Sequence, residues 1–182
     1  MIDLFVSEET LKAAAISIKD WITINPAWAG SIVFLLSMSE SLAVIGLFIP
    51  GLLVMGLIGG LVYLDILDLI PTLTYAVLGA IAGDGISYYL GYAFKDHLPN
   101  YWPFRKYPQW LQRGKTFFID HGSKSIVIGR FVGPVRPFIP VVAGMMHMSP
   151  GVFLFANILS ALLWAPIYMV PGFVIAEIWF LD

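Results

Sequence analysis

From Trp21 to Leu64 the chain carries a single residue charged at neutral pH, Glu40, over about twice the ~20 residues that one membrane-spanning helix needs. No other feature narrows the fold as much. The same stretch holds Pro50-Gly51 and the glycines Gly46, Gly56, Gly59 and Gly60, which favour a broken segment over one long rod. Two arms that turn inside a membrane fit best, and such irregular backbone is tolerated only where protein or a water-filled cavity covers it. Composition agrees. The 182 residues are 59% hydrophobic and 12% charged, with mean hydropathy +0.84, where soluble domains are roughly half apolar and a quarter charged. The surplus apolar surface is expected to face lipid. A net charge of −2 leaves no electrostatic footprint for nucleic acid, and the lack of cysteine excludes disulfides and thiolate metal sites.

Residues 1–27 read as an amphipathic segment at the membrane surface, with Leu4, Phe5, Leu11, Ala15 and Ile18 roughly on one side. Asp3, Glu8, Glu9 and Lys12 are out of place in a cleavable signal. Residues 28–178 read as one transmembrane domain: a first hairpin 28–64, a span 70–94, a polar segment 95–124, a second hairpin 125–148 and a span 150–178. The polar segment has Lys95, Arg105, Lys106, Arg113, Lys115 and Lys124 against Asp96 and Asp120. That basic excess places it in the cytoplasm, and Tyr101, Trp102, Phe104, Tyr107 and Trp110 suit an interface. No Lys or Arg follows Arg136, which fits a non-cytoplasmic C-terminus. Pro134, Pro137 and Pro140 forbid continuous helix through the second hairpin. Phe48-Ile49-Pro50 recurs as Phe138-Ile139-Pro140, an offset that aligns Glu40 with Arg130. The expected fold is therefore an all-α polytopic membrane protein. It has two broken re-entrant hairpins facing each other, plus transmembrane helices, arranged as an inverted repeat.

Four charges lie within the apolar stretches: Glu40, Asp84, Arg130 and Arg136. Each would cost roughly 2.5–3.5 kcal/mol at the bilayer centre if unpaired, so they are expected to pair or to line a wet cavity. Arginine stays protonated and presents a planar fork that matches phosphate oxygens. Arg130 and Arg136, the latter framed by Pro134 and Pro137, are the candidate binding residues for a lipid phosphate. Glu40 and Asp84 are candidates for proton or ion coupling, or for counter-charge. Pro50, Gly51, Pro134, Pro137, Pro140 and Gly144 are expected to shape the hairpins. His97, His121 and His147 lack ligand spacing, so neither a metal nor another cofactor is expected. Asn157 reads as an interhelical hydrogen bond. No phosphate loop, nucleophile elbow or hydrolase triad is evident, which argues against an enzyme.

Residues 121–164, HGSKSIVIGRFVGPVRPFIPVVAGMMHMSPGVFLFANILSALLW, closely resemble the signature of the DedA family, also called the SNARE-associated or VTT-domain superfamily. The matching residues are Gly122, Arg130-Phe131, Pro134, Arg136, Pro140, Ala143-Gly144 and Trp164. The regions around Glu40 to Pro50-Gly51 and Gly83-Asp84 to Gly91 are similar too. The resemblance implies an inner-membrane, multi-pass lipid transporter, a flippase or scramblase. Its substrate would be undecaprenyl phosphate or a phospholipid, and its action would be linked to the proton-motive force. It also implies essential acids at Glu40 and Asp84 and essential arginines at Arg130 and Arg136. Some members carry an acid just after the Pro-Gly of the first hairpin, where this chain has Gly51 and Leu52. Members commonly continue with a further hydrophobic helix, so the sequence fits a short member or a portion of a longer chain. The alternative is a proton- or sodium-coupled ion or drug antiporter using the same charges. The partner expected is a membrane lipid, with protons or sodium as coupling ions and a homo-oligomer left open.

Overall fold

The computed structural model describes residues 16, 17, 20–22, 24–95, 97–133 and 135–180. The expected surface segment 1–27 lies largely outside these residues, and so does Pro134. Among the described residues every regular element is helical: α1 (Pro26–Ser41), α2 (Gly51–Tyr63), α3 (Leu69–Phe94), α4 (Pro108–His121), α5 (Ser125–Gly129), α6 (Ile139–Met145) and α7 (Pro150–Phe180). Of these, α3 and α7 are long and apolar enough to cross a membrane. At 1.5 Å per residue, 26 residues make α3 about 39 Å long. Large apolar side chains such as Tyr89, Phe155, Leu162 and Val170 stay exposed along both helices.

The two breaks fall where the sequence places them, by different means. In the first, Leu42 turns extended, a short 3-10 turn follows at Ile45–Leu47, and Pro50 precedes α2. The backbone N–H of Ala43, freed by the break, donates to Ser87 Oγ on α3 at 3.0 Å, and that hydroxyl donates to the Gly83 carbonyl at 2.9 Å. A buried serine on the neighbouring helix thus supplies what the broken helix lacks. In the second, α5 stops at Gly129 and a 3-10 turn runs over Arg136–Phe138. Pro137 and Pro140 do not lie in mid-helix but in the first turns of the 3-10 segment and of α6, where the missing N–H costs nothing. These two prolines start elements rather than interrupt them. Pro166 and Pro171, by contrast, lie inside α7.

Two sets of helices, α1 to α3 and α5 to α7, pack across one another. Helices α1 and α3 run parallel: Gly30 abuts Tyr75, Gly79 abuts Phe34 and Ser37, and Gly83 abuts Met38 and Ser41. Helices α3 and α7 cross antiparallel, with Asn157 Nδ2 donating to the Ile81 carbonyl at 3.2 Å and Phe153 stacked on Tyr88. The return arm of each half packs on the long helix of the other. A methyl at Gly59 would strike the Met169 carbonyl, and one at Gly172 the Gly56 carbonyl. Reciprocally, a methyl at Gly144 would strike the Tyr88 carbonyl, and one at Gly91 the Val141 carbonyl. Gly144 therefore serves helix contact rather than turning the chain. Each return arm also ends in the same turn. Asp65 (φ 53°) and His147 (φ 52°) take the left-handed conformation, and the next amides, Ile66 and Met148, reach back to Leu61 and Ala143 at 3.0 Å.

The polar segment folds onto the second hairpin. Phe104 is buried against Phe138 and Trp110 stacks on the same ring while half-buried, whereas Tyr101 and Trp102 stay exposed. Gly172→Ala and Gly144→Ala should each destabilise the fold by about 1–3 kcal/mol, since backbone must shift to admit the methyl. Gly85→Ala, which meets open space on α3, should be neutral or stabilising by up to about 1 kcal/mol. Thermal melts of the purified variants in detergent check both.

Candidate functional site

Glu40 ends α1 and Asp84 sits mid-way along α3. Arg130 follows α5 directly, and Arg136 opens the 3-10 turn before α6. These are four separate elements, and the fold brings all four charges to one place. Arg130 Nη2 bonds Asp84 Oδ2, with side-chain exposures of 4% and 10%. Arg136 Nη2 lies 2.5 Å from Glu40 Oε1, with exposures of 15% and 0%. The pairing crosses the sequence alignment that matched Glu40 with Arg130. Glu40 is held instead by the arginine six residues on, and Asp84 takes Arg130.

The two pairs differ in how well they are completed. Arg130 also donates from Nη1 to Ser160 Oγ at 3.3 Å. The Glu40–Arg136 pair is close enough to attract, but it is not aligned as a hydrogen bond. Both Glu40 carboxylate oxygens and Arg136 Nη2 lack hydrogen-bond partners among the described residues. Gly51 lies directly against this pair, where a methyl would overlap Glu40 Oε1 and crowd Arg136 Nη1. Its role is to leave room for the carboxylate at the head of α2, which is more specific than shaping a turn. Pro50, just before it, sets that start.

One residue that the charge pattern did not single out completes the site. Trp164 on α7 is fully buried, and the guanidinium carbons of Arg130 and Arg136 lie 5.4 and 5.3 Å from its ring centre. Arg136 also lies 5.4 Å from the Tyr168 ring, one turn on. Aromatic faces attract cations most strongly where water is excluded. Trp164 was visible only as part of a family signature. Its 34- and 28-residue separations from the two arginines give no local pattern to read.

A cavity of about 380 Å³ lies elsewhere, bounded by Gly30, Asp65, Asp68, Thr72 and Tyr75. Asp84 is about 15 Å from it along α3. The four buried charges thus stand in the packed cluster, apart from that hollow.

The chain matches the VTT domain over residues 49–174. It is 34% identical over 155 residues to the inner membrane protein YabI of Escherichia coli K12, covering 85% of this chain and 61% of that one. It is 35% identical over 151 residues to Protein DedA of the same strain, covering 80% of this chain and 68% of the relative. The chain is a membrane protein of the DedA family. An uncharacterized membrane protein of Buchnera aphidicola, BU139, shares 36% identity over 154 residues, covering 85% of this chain and 60% of that protein. This DedA-family chain thus spans about three-fifths of the length of the first of these relatives. No solved structure matches it.

Removing one partner of a buried pair strands the other charge, a loss of roughly 3–5 kcal/mol. Asp84→Asn should therefore lower the melting temperature of the purified protein sharply. Swapping Glu40→Arg with Arg136→Glu should recover more stability than swapping Glu40→Arg with Arg130→Glu, because only the first respects the observed pairing.

Proposed function

We propose that this chain is a lipid transporter, a flippase or scramblase, that moves a phosphate-bearing lipid such as undecaprenyl phosphate or a phospholipid across the inner membrane. In this reading the protein is multi-pass. Its two broken hairpins are re-entrant and face each other as an inverted repeat, and the basic segment 95–124 lies in the cytoplasm. The observation that carries the proposal is the placement of two permanently cationic side chains inside an apolar helical bundle, on irregular backbone, with matching carboxylates. A scaffold could achieve stability more simply, since apolar residues of similar volume do as well as a buried ion pair or better. Retaining four charges there is better explained by an anionic guest.

Three further features support the reading. Broken segments in two halves that run in opposite directions are the usual place for a midplane transport site. The exposed apolar faces of α3 and α7 let lipid tails remain in the bilayer while a head group travels inside. The head group would meet an arginine fork, and its phosphate oxygens suit that geometry. Glu40 and Asp84 would balance the cations when no lipid is bound, and Glu40 would give way to the lipid phosphate when one is.

The test follows head-group accessibility of labelled lipid phosphates in proteoliposomes. Wild type should expose label from both leaflets over time, and Arg136→Ala should lose most of that movement while remaining folded. Equal movement in the two proteins would rule out the proposal. Proton flux in vesicles of inert lipid, unaffected by phosphate lipids, would instead favour an ion antiporter.

A further inference from the structure

We propose that the two buried arginines divide the work: Arg130 is a fixed positioning residue, and Arg136 alone is the cation that leaves its carboxylate to bind an anionic phosphate oxygen. This refines the transport reading above and rests on it.

Arg130 is tied down on several sides. It pairs with Asp84 on α3, donates to Ser160 on α7 and lies over the Trp164 ring. Its hydrogen bonds therefore join the second hairpin to both long helices. Its side chain is almost wholly buried, and Ser160 in turn donates to the Ile126 carbonyl at 3.4 Å. Charge-assisted bonds of this kind are among the stronger ones in proteins, and exchanging them for a ligand's would leave Asp84 stranded. Nothing is gained by the exchange.

Arg136 is the opposite case. Among the described residues it has one ionic partner, Glu40, whose Oε1 lies 2.5 Å from Nη2 without hydrogen-bond alignment. It is the more exposed of the two arginines. Its partner is equally unfinished. Among the described residues neither oxygen of Glu40 has an aligned hydrogen-bond donor, although Arg136 Nη2 lies 2.5 Å from Oε1, and the neighbouring Ser41 hydroxyl has no partner, at the point where α1 gives way to irregular backbone. A buried polar group without a partner is costly, so a pair built this way gains on meeting a phosphate that can satisfy the guanidinium fully. Trp164 and Tyr168, tilted 48° to each other, both lie against Arg136, so it can shift from one ring toward the other and keep a cation–π contact. Trp164 touches both guanidinium groups, so Arg130 fixes the indole on which Arg136 moves.

The experiment uses the full chain purified in detergent, with dihexanoyl phosphatidic acid and inorganic phosphate as probes, and reads both affinity and melting temperature. Arg136→Lys keeps the charge but loses the fork, and should weaken binding by about tenfold or more with little change in melting. Arg130→Lys should lower the melting temperature and leave affinity within about threefold of wild type. Asp84→Asn with Arg130→Gln removes the second pair as a neutral unit and should likewise keep affinity. Glu40→Gln removes the competing carboxylate and should tighten binding. Binding of the lipid probe alone assigns the anion to a lipid head group, and equal binding of both probes assigns it to free phosphate. Either supports the division of labour when it depends on Arg136 and not on Arg130. Equal loss of affinity in Arg130→Lys and Arg136→Lys, in folded protein, would overturn the division while leaving the phosphate reading intact. Failure of wild type to bind either probe would overturn both.

Discussion

Two ion pairs buried in an apolar bundle are the constraint around which the rest of this chain is organised. Guanidinium groups cannot shed their charge, so each must find a carboxylate or be expelled. Asp84 and Glu40 stand on α3 and α1, and their partners stand on the second hairpin. Neither half can be completed without the other, and the charges therefore fix how the halves dock. The small residues follow from this. Gly51 makes space for the Glu40 carboxylate, and the glycines of α3 let α1 approach closely enough to bring Glu40 near Asp84.

The docking is reciprocal. Gly59 and Gly172 at one junction and Gly144 and Gly91 at the other press backbone against backbone, each between a return arm and the opposite half's long helix. Close backbone approach is how helices associate where no hydrophobic gain is on offer. The matching left-handed turns at Asp65 and His147 finish both arms alike. What differs between the halves is length: the return arm α2 runs 13 residues and α6 only seven. The shorter arm is braced by α4, whose apolar side closes over Phe138.

Much of this was legible in the residues. The runs free of charge gave the long helices, with the ends of α3 and α7 within two residues of the positions read from hydropathy. Pro50-Gly51 and the Pro137 and Pro140 region marked the breaks. The four intramembrane charges were conspicuous because a charge in such a run is rare. Pairing was not legible. The three-residue repeat aligns Glu40 with Arg130 as equivalent positions and says nothing of which charges touch, since contacts depend on which helix faces cross. Trp164 stayed hidden for a related reason: a buried aromatic in an apolar helix looks like any other core residue until the cations are seen on its two neighbours. Aromatic composition did not foretell that Phe104 is buried against Phe138 with Trp110 half-buried beside it, because the pattern does not say which rings pack inward.

The prolines within α7 have a mechanical consequence. Each ring removes the amide that would have met the carbonyl four residues earlier, so the ladder lacks rungs at Leu162 and Ile167. Trp164 lies between those two gaps, with Tyr168 immediately after the second, and α2 presses on the same helix just beyond, at Gly172. The rod is thus most compliant where the arginines rest on it. Its last turns, which meet the first hairpin at Gly172, begin beyond the second gap.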